Sequence, residues 1–213
     1  YDIPHKRTGK LIVATNNNQL GALKTLHDKA LANGVTDIQW LSASEAVALE
    51  PELTCQAALL SPATGIIDSH ALMLSLQGQA EGAGCQFVFR TPLQSVEQAN
   101  GNFHLGFGGA DPMSLTARYV VNAAGLAAPN IARLFPWHAH TPRPNAHYCK
   151  GHYFSLMQRS PFSHLIYPMP DEAGLGVHLT LDMAGQARFG PDTEWVDTIN
   201  YAVDPSRVER FYE

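Results

Sequence analysis

The sequence predicts an α+β fold, and three observations lead to this prediction. A compact apolar strand, Lys10 to Thr15, is followed by leucines at helical spacing from Leu20 to Leu31. Three short runs separated by turns indicate a β-meander, at 93–97, 102–107 and 113–118. Beyond residue 150 the chain offers only strand candidates until a helix start near its end, at 151–157, 164–167, 175–181 and 186–189.

The first 60 residues contain two strand–helix pairs. Asn33-Gly34 provides a left-handed stop for the first helix, and residues 37–40 form a second short strand. Ser42 and Glu45 have the spacing of a capping box, so a second helix begins there and is ended by Pro51.

The next elements lead into the meander. Strands at 57–60 and 66–67 flank a turn that contains Pro and Gly. Asp68 or Ser69 then caps a third helix, and a strand at 85–90 follows it. The apolar face of this third helix comprises Leu72, Met73, Leu76 and Ala80.

Residues 118–129, RYVVNAAGLAAP, run from an apolar strand through small residues into a helix start. Tyr119 to Val121 favours a buried strand, and Pro129 suits a first helical turn. Small side chains at that point let a phosphate approach the exposed amides of a helix N-terminus. The pattern predicts a nucleotide site, although an ordinary strand-to-helix connection has the same composition.

The stretch 136–144, rich in Pro and His, is predicted to be a crossing loop.

Composition excludes several classes of protein. With 213 residues, 45% hydrophobic and 15% charged, the chain is expected to be globular, with one large or two small domains. The net charge of -5 indicates no basic surface for binding nucleic acid, so we expect no nucleic-acid partner.

Three widely spaced cysteines fit neither a disulfide framework nor a zinc pattern and favour a cytoplasmic location. A start at Tyr1 and a helix start at Asp204 without a stop lead us to expect a piece of a longer protein.

The ten histidines suggest a metal site only superficially. Five possible ligands lie near one another in sequence: His138, His140, His147, Cys149 and His152. Their spacing matches no zinc pattern, so we predict no metal site.

His178 is the strongest candidate for chemistry. In the segment GVHLT, Gly176, His178 and Thr180 point to one face of a strand, and Val177 and Leu179 point to the other. A histidine can take a proton near neutral pH, and a threonine can hold a carboxylate. The alternative is a solvent-facing strand edge. Tyr153 and Tyr167 are either core residues or phenols that bind a substrate.

Taken together, several segments stand in a familiar order: KLIVAT (10–15), SPATGIID (61–68), VVNAAG (120–125), KGHYFSL (150–156), HLIYPMP (164–170), LGVHLT (175–180) and FGP (189–191). The chain resembles the middle of an FAD-dependent oxidoreductase of the D-amino-acid oxidase superfamily. Within that superfamily it is most similar to the L-2-hydroxyglutarate dehydrogenase/oxidase group. The resemblance implies part of an FAD/NAD(P)-binding α/β domain plus a mixed or antiparallel substrate-binding sheet flanked by helices.

The resemblance also implies a division of the chain and of its roles. Residues 1–60 would be a strand–helix segment of the substrate domain, 61–135 the remainder of the FAD-binding domain, and 136–213 the substrate-binding sheet and the start of a helix. The residues implied to contact FAD are Leu93, Asn122, Ala123, Ala124, Gly125 and Leu126. His178 would be the catalytic base, with Tyr153, Thr180 and Tyr167 binding the substrate.

The implied reaction is oxidation of an L-2-hydroxy acid, L-2-hydroxyglutarate, to the 2-oxo acid by hydride transfer to FAD. The electron acceptor is oxygen or a quinone, and a quinone would bring the protein to a membrane surface. Family members begin with a strand and a Gly-x-Gly-x-x-Gly turn that this sequence lacks, so we expect the isolated chain to bind FAD poorly and to be inactive. An amino-acid or amine oxidase, and a non-catalytic α+β binding module, are the alternatives.

Overall fold

The computed structural model describes residues 2–136, 144–170 and 176–212, apart from the side chain of residue 210. The chain forms two compact units. Unit 1 comprises Tyr1–Gly78 and Cys149–Glu213, and unit 2 comprises Gln79–Tyr148. These boundaries differ from the predicted ones at 60 and 135, and the functional division of the chain stays a prediction.

Twelve strands and four α-helices are found in the part of the chain that the structure describes. The strands are β1 (His5–Lys6), β2 (Lys10–Ala14), β3 (Gln39–Ser42), β4 (Ala57–Ser61), β5 (Ile66–Ile67), β6 (Leu93–Ala99), β7 (Asn102–Phe107), β8 (Met113–Ala117), β9 (Tyr148–Ser155), β10 (Leu165–Pro168), β11 (His178–Leu181) and β12 (Ala187–Val196). The helices are α1 (Leu20–Ala32), α2 (Ala43–Leu49), α3 (Ser69–Gly82) and α4 (Ala128–Ala132). Short 3₁₀ helices lie at Asn17–Gln19, Gly125–Ala127 and Pro205–Phe211.

Unit 1 is organised around a seven-stranded mixed sheet with the order β3-β4-β2-β10-β11-β12-β9. Strand β2 pairs with β10 in parallel, and Tyr167 of β10 lies opposite Ile12. The pairs β3–β4, β4–β2, β10–β11 and β11–β12 are antiparallel. The sheet therefore joins the first 61 residues to the last third of the chain, and the α+β class is confirmed.

Apolar clusters lie on both faces of this sheet. Leu11 and Val13 of β2 belong to a core on one face, and Leu59 of β4 packs with Leu23 of α1 on the other. Helix α2 begins as predicted, because Ser42 accepts a hydrogen bond from the Glu45 amide while the Glu45 carboxylate accepts one from the Ser42 amide.

Unit 2 contains the predicted β-meander, an antiparallel sheet of β6, β7 and β8. The predicted strands at 85–90 and at 119–121 are wrong, because neither segment belongs to a sheet. Tyr119 and Val121 are 84% and 88% exposed. A β-branched sequence forms a strand only where a neighbouring strand accepts its backbone hydrogen bonds, and no described residue supplies one here.

Several boundaries also differ from prediction. Strand β11 begins at His178, three residues later than expected, and β12 continues to Val196. The helix predicted from Asp204 is a 3₁₀ helix, in which Asp204 caps the amide of Ser206. Two predicted segments lie partly outside the described residues: residues 137–143 of the crossing loop, with His138 and His140, and residue 175 of the strand.

No helix among the described residues is long and apolar enough to traverse a lipid bilayer.

Candidate active site

One face of the unit 1 sheet carries a row of polar and aromatic side chains, which we call the polar face: Lys10, Tyr153, Tyr167, His178 and Thr180. Lys10 and Ile12 are on the same side of β2, and Tyr167 lies beside Ile12 on the adjacent strand. His178 and Thr180 are on one side of β11, and Leu179 is buried on the other. The sheet therefore brings together the four residues predicted for catalysis and substrate binding.

His178 and Tyr167 form a stacked pair at the centre of the polar face. Their ring centroids are 4.2 Å apart, and their planes differ by 14°. Burial raises the pKa of the Tyr167 hydroxyl, and the neighbouring Tyr153 phenol raises it further. Tyr167 therefore stays a neutral hydrogen-bond donor at physiological pH, and it lies beside the imidazole of His178.

Tyr153 lies beside this pair because of a glycine. Gly190 lies opposite His178 on β12. A Cβ atom at Gly190 would be 2.5 Å from Cδ1 of Tyr153 and 2.6 Å from the carbonyl oxygen of His152. Only glycine leaves room for this close approach. Tyr153 is 45% exposed, so its phenol is accessible from solvent.

An ionic network holds the strand that carries Tyr153. The neighbouring His152 is 1% exposed, and its Nε2 atom lies 3.1 Å from Oε1 of Glu194 on β12. Arg207 binds the other Glu194 oxygen at 2.9 Å and also pairs with Asp192. The hydrogen bond with His152 lowers the pKa of Glu194, and Arg207 and Lys150 lower it further. These contacts fix the edge strand β9 against β12 and against the final 3₁₀ helix.

Thr180 is at the polar face but has a local partner. Its hydroxyl donates to the backbone carbonyl of Arg188 at 3.3 Å. To donate to a substrate carboxylate, this hydroxyl has to rotate away from that carbonyl.

A buried carboxylate fixes the start of β10. Glu50, 2% exposed, accepts hydrogen bonds from the amide and hydroxyl of Ser163 at 2.9 and 2.7 Å. It also accepts from the His164 amide at 2.8 Å, and its Oε1 lies 2.5 Å from Nδ1 of His164. Burial acts to raise the pKa of Glu50, but these donors together hold it below its usual value. Glu50 therefore positions the strand that bears Tyr167.

The residues predicted to contact FAD lie in unit 2. The side chain of Asn122 organises their turn by donating to the Ala128 carbonyl at 2.8 Å and accepting from the Ala124 amide at 3.3 Å. Gly125 has φ +54, and a Cβ atom there would meet nothing within 4 Å. The amides of Ala123, Gly125 and Leu126 have no hydrogen-bond partner among the described residues, and all three residues are exposed. Such a set of donors fits the polar groups of a nucleotide.

Leu93 opens β6, opposite Phe107, and is partly buried. The positions of Leu93 and of the turn at Asn122 do not test whether these residues contact FAD. Both assignments therefore stay predictions.

Sequence reasoning missed Lys10, Gly190 and Glu50. Lys10 is a half-buried lysine at the start of an apolar strand, and strand alternation with Ile12 was the signal that could have found it. Gly190 and Glu50 depend on neighbours far away in sequence, and no local pattern indicates them.

The polar face of unit 1 is compatible with binding a polar substrate, and the turn of unit 2 is compatible with binding a nucleotide cofactor. The family model described as "FAD dependent oxidoreductase" matches residues 1–213, so the chain belongs to this family, whose cofactor is FAD.

Among curated proteins, the chain is similar in sequence to L-2-hydroxyglutarate dehydrogenases. The chain is 35% identical to the mitochondrial L-2-hydroxyglutarate dehydrogenase of Arabidopsis thaliana, over 100% of this chain and 52% of that protein. It is 29% identical to the Homo sapiens enzyme of the same name, over 89% of this chain and 43% of that protein. The chain thus spans about half the length of the curated relatives it matches.

Solved structures share the fold at lower identity. FAD-bound L-alpha-glycerophosphate oxidase from Mycoplasma pneumoniae has a TM-score of 0.84 at 21% identity, covering 99% of this chain and 57% of that one. L-proline dehydrogenase from P. horikoshii has a TM-score of 0.80 at 18% identity, covering 99% and 56%. Glycine oxidase from Geobacillus kaustophilus has a TM-score of 0.73 at 20% identity, covering 96% and 52%.

Proposed function

We propose that the whole protein oxidises an L-2-hydroxy acid, L-2-hydroxyglutarate, to the corresponding 2-oxo acid. The names of the curated relatives support this substrate. The observation that carries the proposal is the His178–Tyr167 stack on an accessible polar face, with Tyr153 beside it. It combines a proton acceptor with phenolic hydrogen-bond donors, which suit the oxidation of a hydroxy acid.

The chain's own residues have distinct roles in this proposal. His178 takes the proton of the C2 hydroxyl as the C–O bond becomes a carbonyl. When bound, FAD supplies the two-electron acceptor for the hydrogen on C2. Tyr153 and Thr180 bind the carboxylate next to the reacting carbon, and Tyr167 donates a hydrogen bond to the substrate. The sheet orients the substrate and excludes water from one side of it.

Unit 2 is proposed to hold part of the cofactor. The turn Asn122–Ala123–Ala124–Gly125–Leu126 would bind the phosphate and ribityl side, with the amides of Ala123, Gly125 and Leu126 as donors. The main chain of Leu93 would bind the adenine. Because this sequence contains no Gly-x-Gly-x-x-Gly turn, we propose that the 213-residue chain alone binds FAD weakly and is inactive. Absorbance of bound flavin, compared between this chain and the whole protein, tests this point.

The central test is His178→Ala in the whole FAD-loaded protein. Loss of the base is expected to lower kcat for L-2-hydroxyglutarate by about 10²- to 10⁴-fold. His70→Ala, at an exposed position on α3, is the matched control and should leave turnover unchanged. Unchanged turnover in His178→Ala would contradict the base assignment.

A substrate panel separates the alternatives. The proteins of similar fold include oxidases and dehydrogenases named for glycine and proline, so an amino-acid or amine substrate is the second candidate. Turnover of such amines in preference to L-2-hydroxyglutarate would favour it. A whole protein that takes up no FAD would instead favour a non-catalytic binding module.

Comparing oxygen with a quinone in the same assays identifies the electron acceptor. Use of a quinone would support association with a membrane surface.

A further inference from the structure

We propose that Lys10 binds the substrate carboxylate farther from the reacting carbon and thereby selects dicarboxylates over monocarboxylates. This inference rests on the proposed function above and adds a residue that determines specificity.

Lys10 lies next to the stacked pair of Tyr167 and His178. Its Nζ atom is over the Tyr167 ring, 5.1 Å from the ring centroid. The same ring stacks on His178 at 4.2 Å. Since both distances are measured from the centroid of one ring, the ammonium lies within about 9 Å of the imidazole centre.

The charge of Lys10 has no carboxylate partner within 4 Å in the described parts of the chain. Some other cations of unit 1 have such a partner: Lys24 pairs with Asp28, and Arg207 pairs with Asp192. Yet Lys10 is partly buried. Partial burial of an ammonium is costly without an anion, and the face of an aromatic ring offsets only part of this cost. The Lys10 ammonium, positioned over the Tyr167 ring, is therefore a positive charge on the polar face that an anionic ligand would neutralise.

The distances suit a five-carbon diacid. Its C2 atom and its distal carboxyl carbon are three bonds apart, about 3.8 Å when extended, as are consecutive Cα atoms. Adding about 3 Å at each end for a base–hydroxyl and an ammonium–carboxylate hydrogen bond gives a reach of about 10 Å, which covers the separation of at most about 9 Å between the two groups. One substrate can therefore reach His178 with its hydroxyl and Lys10 with its distal carboxylate.

The test compares two substrates of the same shape in the whole FAD-loaded protein. L-2-Hydroxyglutarate carries the distal charge, and its γ-amide does not. Lys10→Met keeps most of the aliphatic stem on Tyr167 but removes the ammonium. We expect Lys10→Met to raise KM for the diacid by about 30- to 100-fold with kcat changed only a few-fold, and to leave kcat/KM for the amide within about twofold. Lys10→Arg should retain most of the preference for the diacid.

A binding measurement makes the result independent of turnover. Calorimetric titration with glutarate, which lacks the reacting hydroxyl, should show a similar loss of affinity in Lys10→Met. Lys24→Met, on an exposed face of α1, is the matched control and should bind glutarate as the wild type does.

The outcomes separate the two proposals. If Lys10→Met impairs the diacid and the amide equally, or binds glutarate as tightly as the wild type, the Lys10 inference is wrong while the reaction stands. If the wild type fails to oxidise L-2-hydroxyglutarate, the proposed function is wrong, and the glutarate titration still decides the role of Lys10. A wild type that binds no glutarate overturns the Lys10 inference.

Discussion

The buried carboxylate of Glu50 is expected to be a principal stabiliser of unit 1. It accepts hydrogen bonds from residues 113 and 114 positions away and so joins the end of α2 to the start of β10. Glu50→Gln keeps the shape of the side chain but replaces one acceptor oxygen with an amide nitrogen. That nitrogen would face the donors that the carboxylate now satisfies.

The magnitude follows from the number of donors. Two of them are backbone amides, and the others are the Ser163 hydroxyl and the His164 ring. A hydrogen bond to a charged group contributes about 1.5–3 kcal/mol, and Gln can replace about half of these contacts. Because removal of the charge also removes its desolvation cost, we expect a net loss of about 3 kcal/mol in the free energy of unfolding.

The assay is urea unfolding of the protein at neutral pH, monitored by far-UV circular dichroism. Glu52→Gln, two residues away and exposed, is the matched control and should change stability by less than about 0.5 kcal/mol. If Glu50→Gln unfolds at the same urea concentration as Glu52→Gln, the network does not stabilise the fold and the reasoning above fails.

The same carboxylate predicts a dependence on pH. Its pKa in the folded protein is below the ordinary value of 4.5. Its stabilising contribution is therefore complete above that value and is lost as the pH falls through the lower folded-state pKa. The difference in stability between wild type and Glu50→Gln should shrink in this acidic range, and a difference that stays constant to pH 2 would contradict the assignment.

Three further substitutions test the sheet and its edge. Gly190→Ala should destabilise unit 1 by about 2 kcal/mol and displace Tyr153, since φ at this position is +145 and the new Cβ would overlap its neighbours; thermal unfolding and substrate KM measure the two effects. Leu59→Ala removes a fully buried side chain beneath α1 and should cost about 3 kcal/mol in urea unfolding. Arg207→Met removes the ion pair between Arg207 and Asp192 and should speed chymotrypsin cleavage near the 3₁₀ helix Pro205–Phe211 roughly tenfold.

Each of these substitutions has a control. Gly21→Ala in α1 adds a methyl group in open space and should be neutral or stabilising. Leu74→Ala removes an exposed side chain and should change little. Arg159→Met removes an exposed arginine and should leave cleavage unchanged. A substitution that behaves like its control would show that the contact assigned to it has no energetic effect.

Local patterns in the sequence predicted the elements that depend on local interactions. Helix α1, the capping box at Ser42 and the three-stranded meander are stabilised by residues close together in sequence. The segments 85–90 and 119–121 have strand composition, but composition does not supply a partner strand. The parallel pairing of β2 with β10 joins residues more than 150 positions apart, and no periodicity specifies that register.

In the candidate site too, the sequence predicted the local arrangement of side chains but not the contacts between distant strands. Strand alternation indicated that His178 and Thr180 share a face, which the sheet confirms, whereas their chemical roles stay predictions. Lys10 joins Tyr167 only through the pairing of two distant strands. The contact of Gly190 with Tyr153 likewise depends on a neighbour from another strand. Residues that act through such long-range contacts become visible only when the strands are placed beside one another.

The position of β2 between β4 and β10 has a consequence for synthesis on the ribosome. β2 leaves the ribosome before β4 and can pair with it soon after β4 emerges, but the other edge of β2 stays unpaired until β10 is made, about 150 residues after β2. At about 5–20 residues per second this wait lasts roughly 8 to 30 seconds. During that interval an apolar strand edge is available to other nascent chains, so chaperones that cover such edges should control the yield of this protein.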